Sequence, residues 1–418
     1  METLRFLMVS THFPPYQMGG DAIFVGYLSE ELARRGHEVH VAYNPSVYRI
    51  LRGELPKGHE KNPTNSVVRH ECSPVAPRLS LATSLMFGID SRARRWLKSL
   101  ESRFSFDIVH WHNTKGFISR PFALGGAVSL YTAHDYNAIC PRSNLIRPGD
   151  HVCEMPELCQ TCLLRWRKPP QLWRVGRWRV LRFPGGFKIL CPSEYIAKRL
   201  REDGVPVHRV LRGFVPDPGR ALSEATNRED TIMFVGILER RKGPQTLLQA
   251  FIDSRREQGF KLALVGEGPL RKNLIEQVRS NGIQDRVSVP GFISWSNLRT
   301  MLSCSSIMVI PSEWPENAPS TALEAFSFGV PVAGTKIGGL PEILTPESGS
   351  MLFEACNVRE LSGLLVSLWG DRQALRLRGR MARRTYEERF SPEIHLTEYM
   401  HVIGEPGQES TDLTLIRR

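Results

Sequence analysis

Residues 307–333 read IMVIPSEWPENAPSTALEAFSFGVPVA and place a helix between two short apolar runs. The first run, 307–310, leads into a loop that contains three prolines. Ser320 or a neighbouring residue can cap the helix that follows, and Gly329 stands where a helix-terminating glycine belongs. The second run covers 331–333. A strand, a helix and a second strand in this order predict one unit of a parallel sheet.

The same alternation extends over the second half of the chain. Further strands are predicted there at 231–238, 261–265 and 286–290, with helices near 243–257, from Pro269 and after residue 357. The first half has the same pattern, with predicted strands at 4–10, 39–43, 107–112, 127–133 and 188–192. Its first predicted helix follows Gly19-Gly20 and ends at Gly36, with apolar residues every four positions at Phe24, Leu28 and Leu32. Another helix is predicted to begin after Ser193 as its N-cap and to run to about residue 203.

These patterns predict an α/β protein with two doubly wound, Rossmann-like domains. The predicted boundaries are 1–215 for the first domain, 216–230 for a linker, 231–390 for the second domain and 391–418 for a C-terminal helix and tail. Ligands bind at the carboxyl ends of the strands in such sheets, so two facing domains would place the site in the cleft between them.

Composition excludes several classes of protein. The chain has 418 residues, of which 41% are hydrophobic and 23% charged, and this is ordinary for a soluble globular protein. No apolar run approaches the roughly 18 residues of a membrane-spanning helix, and eight cysteines are too few for a disulfide framework. The N-terminus lacks the pattern of a secretory signal peptide, so we expect a cytoplasmic protein.

Glu316 and Glu324 flank the start of the helix in the opening segment. The N-terminal end of a helix carries unpaired N–H groups and positive potential, so it binds anions. Glu324 lies one turn into the helix, where its carboxylate could accept hydrogen bonds from the two hydroxyls of a ribose, and Glu316 lies in the loop before it. Acidic residues are also common at helix starts without any function, so this pair alone decides nothing.

The segment resembles the E-x7-E signature of the retaining, nucleotide-sugar-dependent glycosyltransferases of family 4, which have the GT-B fold. The likeness covers most of the chain, because further motifs of that family follow in order at predicted strand ends. They are Gly19-Gly20, His134-Asp135, Lys242-Gly243, Glu316, Glu324 and Gly338-Gly339-Leu-Pro-Glu342.

The resemblance implies a role for each matching residue. Glu324 would bind the ribose of the donor, while Glu316, with Asn317 and the backbone after it, would hold the donor sugar. Lys242 would neutralise the diphosphate, Gly19 and Gly20 would let the backbone approach the phosphates, and His134 would contact the sugar. The alternative for His134 is a structural role at the end of its strand.

This chain departs from the family pattern after its first strand of the second domain. The family often has an arginine after the glycine there, but Gly236 is followed by Ile237. A second cation would then come from Arg240 or Arg241, and we favour Arg241. The chain contains no Asp-x-Asp, so the resemblance implies no metal and no other cofactor for catalysis.

Four cysteines cluster after the His-Asp motif with the spacing Cys140-x12-Cys153-x5-Cys159-x2-Cys162. This spacing is typical of metal ligands around one C-x2-C knuckle, and a subgroup of the family looks similar here. We therefore predict a structural zinc ion, with free thiols as the alternative. The other four cysteines are predicted to lie in the core; they are Cys72, Cys191, Cys304 and Cys356.

The net charge of +12 lies in the first half, where residues 1–215 hold 31 Lys and Arg against 18 Asp and Glu. Residues 163–188 contain eight basic and no acidic residues, interleaved with Trp166, Trp173, Trp178, Phe183 and Phe187. No nucleic-acid motif is present, so we expect no nucleic-acid partner. Arginine with tryptophan suits an anionic membrane surface, here the inner face of the membrane. The alternative is a solvated helix face with buried tryptophans.

The leading hypothesis is a retaining glycosyltransferase that moves a sugar from a nucleoside-diphosphate sugar to a lipid-linked or polysaccharide acceptor. A nucleotide-sugar epimerase with the same fold would act without an acceptor. A basic, metal-containing binding protein that has lost catalysis would explain Ile237 and would be indifferent to changes at Glu324.

Overall fold

A computed structural model describes residues 2–55, 66–149, 151–153, 159–174, 183–219, 222, 230–254 and 259–405. The chain divides into two compact units. The first consists of Met1–Leu211 together with Thr397–Arg418, and the second is Arg212–Leu396. Most of the predicted linker over 216–230 lies outside the described residues.

The first unit contains a parallel sheet with the strand order β3-β2-β1-β4-β5-β8-β9. Its strands are β1 (Arg5–Val9), β2 (Glu38–Tyr43), β3 (Val68–Glu71), β4 (Ile108–Trp111), β5 (Val128–Thr132), β8 (Lys188–Cys191) and β9 (Val207–Val210). The interior strand β1 is covered on both faces, which is why Phe6 to Val9 form an unbroken buried apolar run.

Helices connect these strands. They are α1 (Gly20–Arg34), α2 (Pro45–Arg52), α3 (Pro77–Phe87), α4 (Ser91–Phe104), α5 (Cys159–Arg165) and α6 (Glu194–Glu202). A small antiparallel hairpin, β6 (Ile146–Arg147) and β7 (His151–Val152), precedes α5. Ser193 caps α6 as predicted, because its side chain accepts a hydrogen bond from the Ile196 N–H.

The second unit contains another parallel sheet, with the order β12-β11-β10-β13-β14-β15. Its strands are β10 (Thr231–Val235), β11 (Lys261–Val265), β12 (Val287–Gly291), β13 (Ile307–Ile310), β14 (Val332–Thr335) and β15 (Met351–Phe353). Its helices are α7 (Pro244–Asp253), α8 (Arg271–Ser280), α9 (Trp295–Cys304), α10 (Ser320–Ser327), α11 (Leu340–Ile343), α12 (Val358–Gly370) and α13 (Arg372–Arg389). The last helix of the chain is α14 (Pro392–Gly404).

Both sheets reverse their strand order beside the first strand of the unit. The reversal lies between β1 and β4 in the first sheet and between β10 and β13 in the second. Each unit is therefore doubly wound, and the prediction of two Rossmann-like domains is confirmed. The loops at the carboxyl ends of these four strands are where ligands of such folds bind.

One detail of the opening segment differs from the prediction. Ser320 is the first residue of α10, and Pro319 occupies the N-cap position without a side-chain hydrogen bond to the helix. The first N–H groups of α10 therefore have no side-chain cap. Gly329 does follow the end of this helix, with a φ of +66°.

Candidate active site

In the second unit, the loops after β10 and β13 bring Lys242 and Glu316 together. The Lys242 Nζ donates a hydrogen bond of 2.6 Å to Glu316 Oε1, and the Ser312 hydroxyl donates to the same oxygen at 2.8 Å. Glu316 is almost buried, whereas the Lys242 side chain is 30% exposed. An ammonium has three N–H donors, so this contact leaves Lys242 able to donate to an anion in the solvent-facing direction.

Two glycines make this arrangement possible. Gly243 has a φ of +68°, and a Cβ there would lie 1.9 Å from the Pro311 carbonyl oxygen. Gly338, after β14, has a φ of +66°, and a Cβ there would lie 2.3 Å from the Glu316 carbonyl oxygen. The Gly339 N–H donates to that oxygen at 2.6 Å. The glycines of two sequence motifs therefore hold the 311–316 loop by close backbone contact.

Glu324 is buried in α10, at 6% exposure. Burial raises the pKa of its carboxyl to about 7, because removal from water disfavours the charged form and no other group offsets that cost. A buried carboxyl with a raised pKa is typical of a binding or catalytic site. Hydroxyl groups of a ligand could supply the hydrogen bonds that its ionised form requires.

Arg241 and Asn317 are the sequence neighbours of Lys242 and Glu316, and they lie near these two residues in the fold. The Arg241 guanidinium donates to Glu239 Oε1 at 2.6 Å and stands 5.8 Å from the centre of the Trp314 ring. Asn317 is half-buried in the loop directly after Glu316. The Arg241 backbone carbonyl accepts a hydrogen bond from the Glu313 N–H at 2.8 Å, so the two loops are also joined through their backbones.

In the first unit, Gly19 and Gly20 start α1. Gly19 is the N-cap residue in extended conformation, without a side-chain hydrogen bond to the helix, and both glycines are exposed. The N-terminal end of α1 is therefore open to solvent, as a phosphate contact would require.

His134 follows β5 and is bonded to a residue that the sequence did not single out for function. Its Nε2 lies 2.9 Å from Nδ1 of His112, which follows the neighbouring strand β4. Burial lowers the pKa of His134 to about 4, although the carboxylate of Asp21 opposes this effect. His134 is therefore a neutral imidazole at physiological pH. The rings of His110 and His112 lie side by side, with their centres 3.9 Å apart, and Trp111 between them in sequence is buried.

Asp135 is held in a buried polar network. Asn113 donates to Asp135 Oδ2 at 3.2 Å, and the Asn137 N–H donates to its Oδ1 at 2.7 Å. Burial raises the pKa of Asp135 to about 6 and lowers the pKa of nearby Lys115 to about 8. The Lys115 Nζ donates to the Pro141 carbonyl at 2.6 Å. Sequence reasoning missed Asn113 and Lys115, because neither belongs to a motif and both act through contacts distant in sequence.

Each unit matches the family model of a sugar-transferring enzyme. Residues 18–217 match glycosyltransferase family 4, and residues 220–388 match the glycosyl transferases of group 1. This chain is a GT-B glycosyltransferase. Neither the epimerase nor the binding-protein alternative is supported by these matches.

Individual proteins similar to this glycosyltransferase have low sequence identity. An uncharacterized glycosyltransferase of Methanocaldococcus jannaschii is 23% identical over 389 residues, which are 88% of this chain and 91% of that protein. N-acetyl-alpha-D-glucosaminyl L-malate synthase of Bacillus anthracis is 30% identical over 171 residues, 41% of this chain and 44% of that protein. The crystal structure of Anabaena HepE in complex with UDP-glucose has a TM-score of 0.64 at 15% identity, covering 96% of this chain and 99% of that one.

The four clustered cysteines of the glycosyltransferase line one cavity of about 570 Å³. Cys140 and Cys153 flank the β6–β7 hairpin, and Cys159 and Cys162 lie one turn apart in α5. Within the described ranges, no group of three or more His, Cys, Asp or Glu side chains is arranged so that it could hold a metal ion. The zinc site stays a prediction.

The other cysteines are not all in the core. Cys72 and Cys191 are buried as predicted. Cys304 is only partly buried and Cys356 is exposed, so the prediction was wrong for these two.

Only part of the basic segment 163–188 is exposed to solvent. Arg174 is buried and donates to Asn137 Oδ1 at 3.2 Å, and Lys188 is buried and donates to the Val402 carbonyl at 2.8 Å. These two cations are therefore not available to a membrane surface, and membrane contact by the rest of the segment stays a prediction. Residues 175–182, including Trp178, lie outside the described residues. In the parts of the chain that are described, no helix is both long enough and apolar enough to span a bilayer.

Proposed function

We propose that this glycosyltransferase transfers a sugar from a nucleoside-diphosphate sugar to a lipid-linked or polysaccharide acceptor, with retention of configuration at the anomeric carbon. The observation that carries the proposal is the placement of Lys242 and Glu316 at the point where the strand order reverses, beside the uncapped start of α10. HepE, which has the same fold, was crystallised with UDP-glucose. A uridine nucleotide is therefore the first donor to test.

The charges at this site suit a diphosphate leaving group. Breaking the anomeric C–O bond leaves negative charge on the phosphate and an oxocarbenium-like sugar. Lys242 and the N–H groups at the start of α10 would stabilise that phosphate, with Arg241 as a second cation. In this scheme the leaving phosphate takes the proton of the acceptor hydroxyl as the new C–O bond forms on the same face of the sugar.

The carboxylates would bind the neutral parts of the donor. Glu316 Oε1 already accepts two hydrogen bonds, and Oε2 is left to accept from hydroxyls of the sugar, with the side chain of Asn317 beside it. Glu324 would accept from the two hydroxyls of the ribose. On the first unit, Gly19 and Gly20 would face the phosphates and His134 the sugar.

Thermal stabilisation by a panel of nucleoside diphosphates and their sugars tests the donor site. The panel should begin with UDP, UDP-glucose and UDP-N-acetylglucosamine, the last because of the Bacillus anthracis relative. At a concentration 100 times the Kd, a ligand adds about 2.7 kcal/mol of stability, or roughly 5–10 °C in Tm for a unit of this size. Glu324→Ala should lose this shift, whereas Glu276→Ala, an exposed glutamate on α8, should keep it.

The outcome tests the assignment of Glu324 to the donor site. A shift with one diphosphate that the Glu324→Ala variant loses supports the proposed donor site. Equal shifts in the wild type and the Glu324→Ala variant would contradict the assignment of Glu324 to the ribose. Proton NMR of the product formed with the stabilising donor then reports the anomeric configuration, and an inverted product would overturn the retaining mechanism.

Membrane contact is proposed for the exposed part of the basic segment. Leu164 and Leu172 are 61% and 51% exposed, and Arg165, Arg167 and Lys168 are exposed beside them. Apolar tips among basic residues suit an anionic bilayer surface. The protein should sediment together with vesicles that contain phosphatidylglycerol, and it should not sediment with neutral phosphatidylcholine vesicles. Retention by neither kind of vesicle would refute the membrane proposal.

A structural zinc ion is proposed for the cysteine cavity. Four thiols line one cavity between a hairpin and the first turn of a helix, and Arg142, Arg147 and Arg165 also line it. Burial raises the pKa of the Cys162 thiol, and these three cations oppose that effect and so favour the thiolate form that zinc requires. The purified protein should contain one zinc per chain, and a Cys159→Ser/Cys162→Ser double variant should contain none. Cys304→Ser, in the other unit, is the control; a wild-type protein without zinc would show the prediction to be wrong.

A further inference from the structure

His112 is a fully buried histidine between two other imidazoles. Its ring centre lies 3.9 Å from that of His110 and 5.2 Å from that of His134. His112 Nδ1 stands 2.9 Å from His134 Nε2, which is the distance of a good hydrogen bond. Phe24 of α1 packs its ring edge against both His112 and His134, at 6.4 and 5.4 Å between centres.

The other nitrogen of His112 decides where the proton lies. Among the described residues, the buried Nε2 of His112 has no hydrogen-bond partner. A neutral imidazole carries one N–H and one lone pair, and the contact with His134 needs one proton between the two rings. If His134 supplied that proton, the N–H of His112 would point from Nε2 into a buried space without an acceptor. A buried N–H without a partner is rarer and more costly than an unused lone pair.

The low-cost arrangement is therefore His112 Nδ1–H donating to His134 Nε2. His134 then carries its own proton on Nδ1, because the tautomer of one ring nitrogen follows from the bond that the other makes. The same contact fixes the rotation of the His134 ring about χ2, a torsion that by itself has only a broad, two-fold preference.

We propose that His112 is a positioning residue for His134, fixing both the orientation of the His134 ring and its Nδ1–H tautomer. The inference rests on the proposed function, in which His134 contacts the donor sugar. His134 would act there as a neutral hydrogen-bond donor through Nδ1. Its Nε2 is already engaged, so it would not take up a proton during the reaction.

The surroundings of His134 give the proposal a pH signature. The titratable and charged groups around it are His110 and His112 on the β4 side, Asp21 on α1, and Asp135 with Lys115 beside it. Without the His112 N–H, the His134 Nε2 can accept a proton, and Asp21 would stabilise the resulting imidazolium. The acid limb of activity should then move to higher pH.

Three variants separate positioning from packing. His112→Asn keeps a donor near the place of Nδ1, and His112→Leu removes it with similar bulk. His110→Leu is the matched control, because His110 is equally buried on the same strand but bonds Thr132 and Tyr399 instead, at 2.8 and 2.9 Å. Activity is measured as UDP release from UDP-glucose, or from whichever nucleotide sugar stabilises the protein most, with water as the acceptor.

We expect kcat to fall roughly five- to tenfold in the His112→Leu variant, the size of one lost hydrogen bond. The acid limb of the pH–activity profile should move to higher pH in this variant alone. The His112→Asn variant should regain most of the activity. The His110→Leu variant should lose stability without a shift of the acid limb. If kcat, KM and the pH profile of the His112→Leu variant equal those of the wild type while its Tm falls, His112 is merely structural and the proposal is overturned.

A second measurement does not depend on sugar transfer. Long-range ¹H–¹⁵N spectra of protein labelled with ¹⁵N-histidine report the tautomer of each ring, and a His134→Ala variant assigns the His134 signals. The proposal requires Nδ1–H at His134 in the wild type, and an Nε2–H tautomer there would refute it. An Nδ1–H tautomer in a protein that no nucleotide sugar stabilises would leave the positioning intact and count against the proposed function instead.

Discussion

Glu324→Gln should stabilise the unliganded protein at alkaline pH while removing its ability to bind nucleotide. Burial raises the pKa of the Glu324 carboxyl from 4.5 to about 7. The folded protein therefore binds this proton more tightly than the unfolded chain does. The contribution of Glu324 to the free energy of unfolding falls as pH rises from 4.5 to 7 and is constant above 7, because the ionised carboxylate is costly to bury. Glutamine cannot ionise, so the variant escapes that cost.

The magnitude follows from the shift in pKa. One pKa unit corresponds to 1.36 kcal/mol, so the full penalty is about 3 kcal/mol above pH 7. Between pH 5 and pH 8, the advantage of the variant should grow by about 2.5 kcal/mol. For a unit of this size that corresponds to roughly 5–10 °C in Tm. Differential scanning calorimetry of both proteins at half-unit steps of pH measures this directly.

The control is Glu276→Gln, which removes an exposed carboxylate from α8 in the same unit and should give a Tm difference independent of pH. A Glu324→Gln difference that is equal at pH 5 and pH 8 would refute the reasoning, whatever its sign. The same carboxylate should make nucleotide binding pH-dependent, because ribose hydroxyls donate to its ionised form. UDP affinity should rise between pH 6 and pH 8 in the wild type, and this rise should disappear in the variant.

Two further substitutions test the loops around Glu316. Lys242→Met should lower UDP affinity at least tenfold by calorimetry, because it removes the cation nearest to the proposed diphosphate. Lys272→Met, at an exposed position on α8, should leave UDP affinity unchanged. Equal UDP affinities of the wild type and the Lys242→Met variant would contradict the role of Lys242. Gly338→Ala should lower the free energy of unfolding by about 2 kcal/mol or more in denaturant titrations, because the new Cβ would overlap the Glu316 backbone. Gly363 is a helical glycine of α12 with open space around it, so Gly363→Ala should instead raise the free energy of unfolding by up to about 1 kcal/mol. A lower free energy of unfolding in both variants would show that the backbone overlap is not the cause.

The strands that the sequence predicted and those that it missed differ in their place in the sheets. Interior strands such as β11 and β13 were predicted with the bounds that the structure has, since both faces are covered and the apolar run is continuous. In the two parallel sheets, the strands that were missed are β3, β9 and β15, and all three are at sheet edges. An edge strand pairs on one side only, so it can be short and can carry polar residues, as in Val68–Glu71.

The sequence by itself determined the fold class, the two-domain organisation and most residues of the candidate site. Periodic apolar runs and ordered motifs are local properties, and they suffice to place Lys242, Glu316 and His134 in loops that follow strands and Glu324 in the helix after Glu316. Only the tertiary structure decided which of them touch. Lys242 and Glu316 are 74 positions apart and meet because parallel strands β10 and β13 are neighbours where the sheet reverses its order.

The same holds for the residues that sequence reasoning missed. His112 belongs to none of the sequence motifs, and its bond to His134 depends on the register of β4 against β5. The burial that raises the pKa of Glu324 comes from the packing of α10 within the second unit. Arg174 is buried in the first unit, where it donates to Asn137, a residue 37 positions away in sequence. Burial and long-range contacts depend on the whole chain at once, and a linear pattern contains neither.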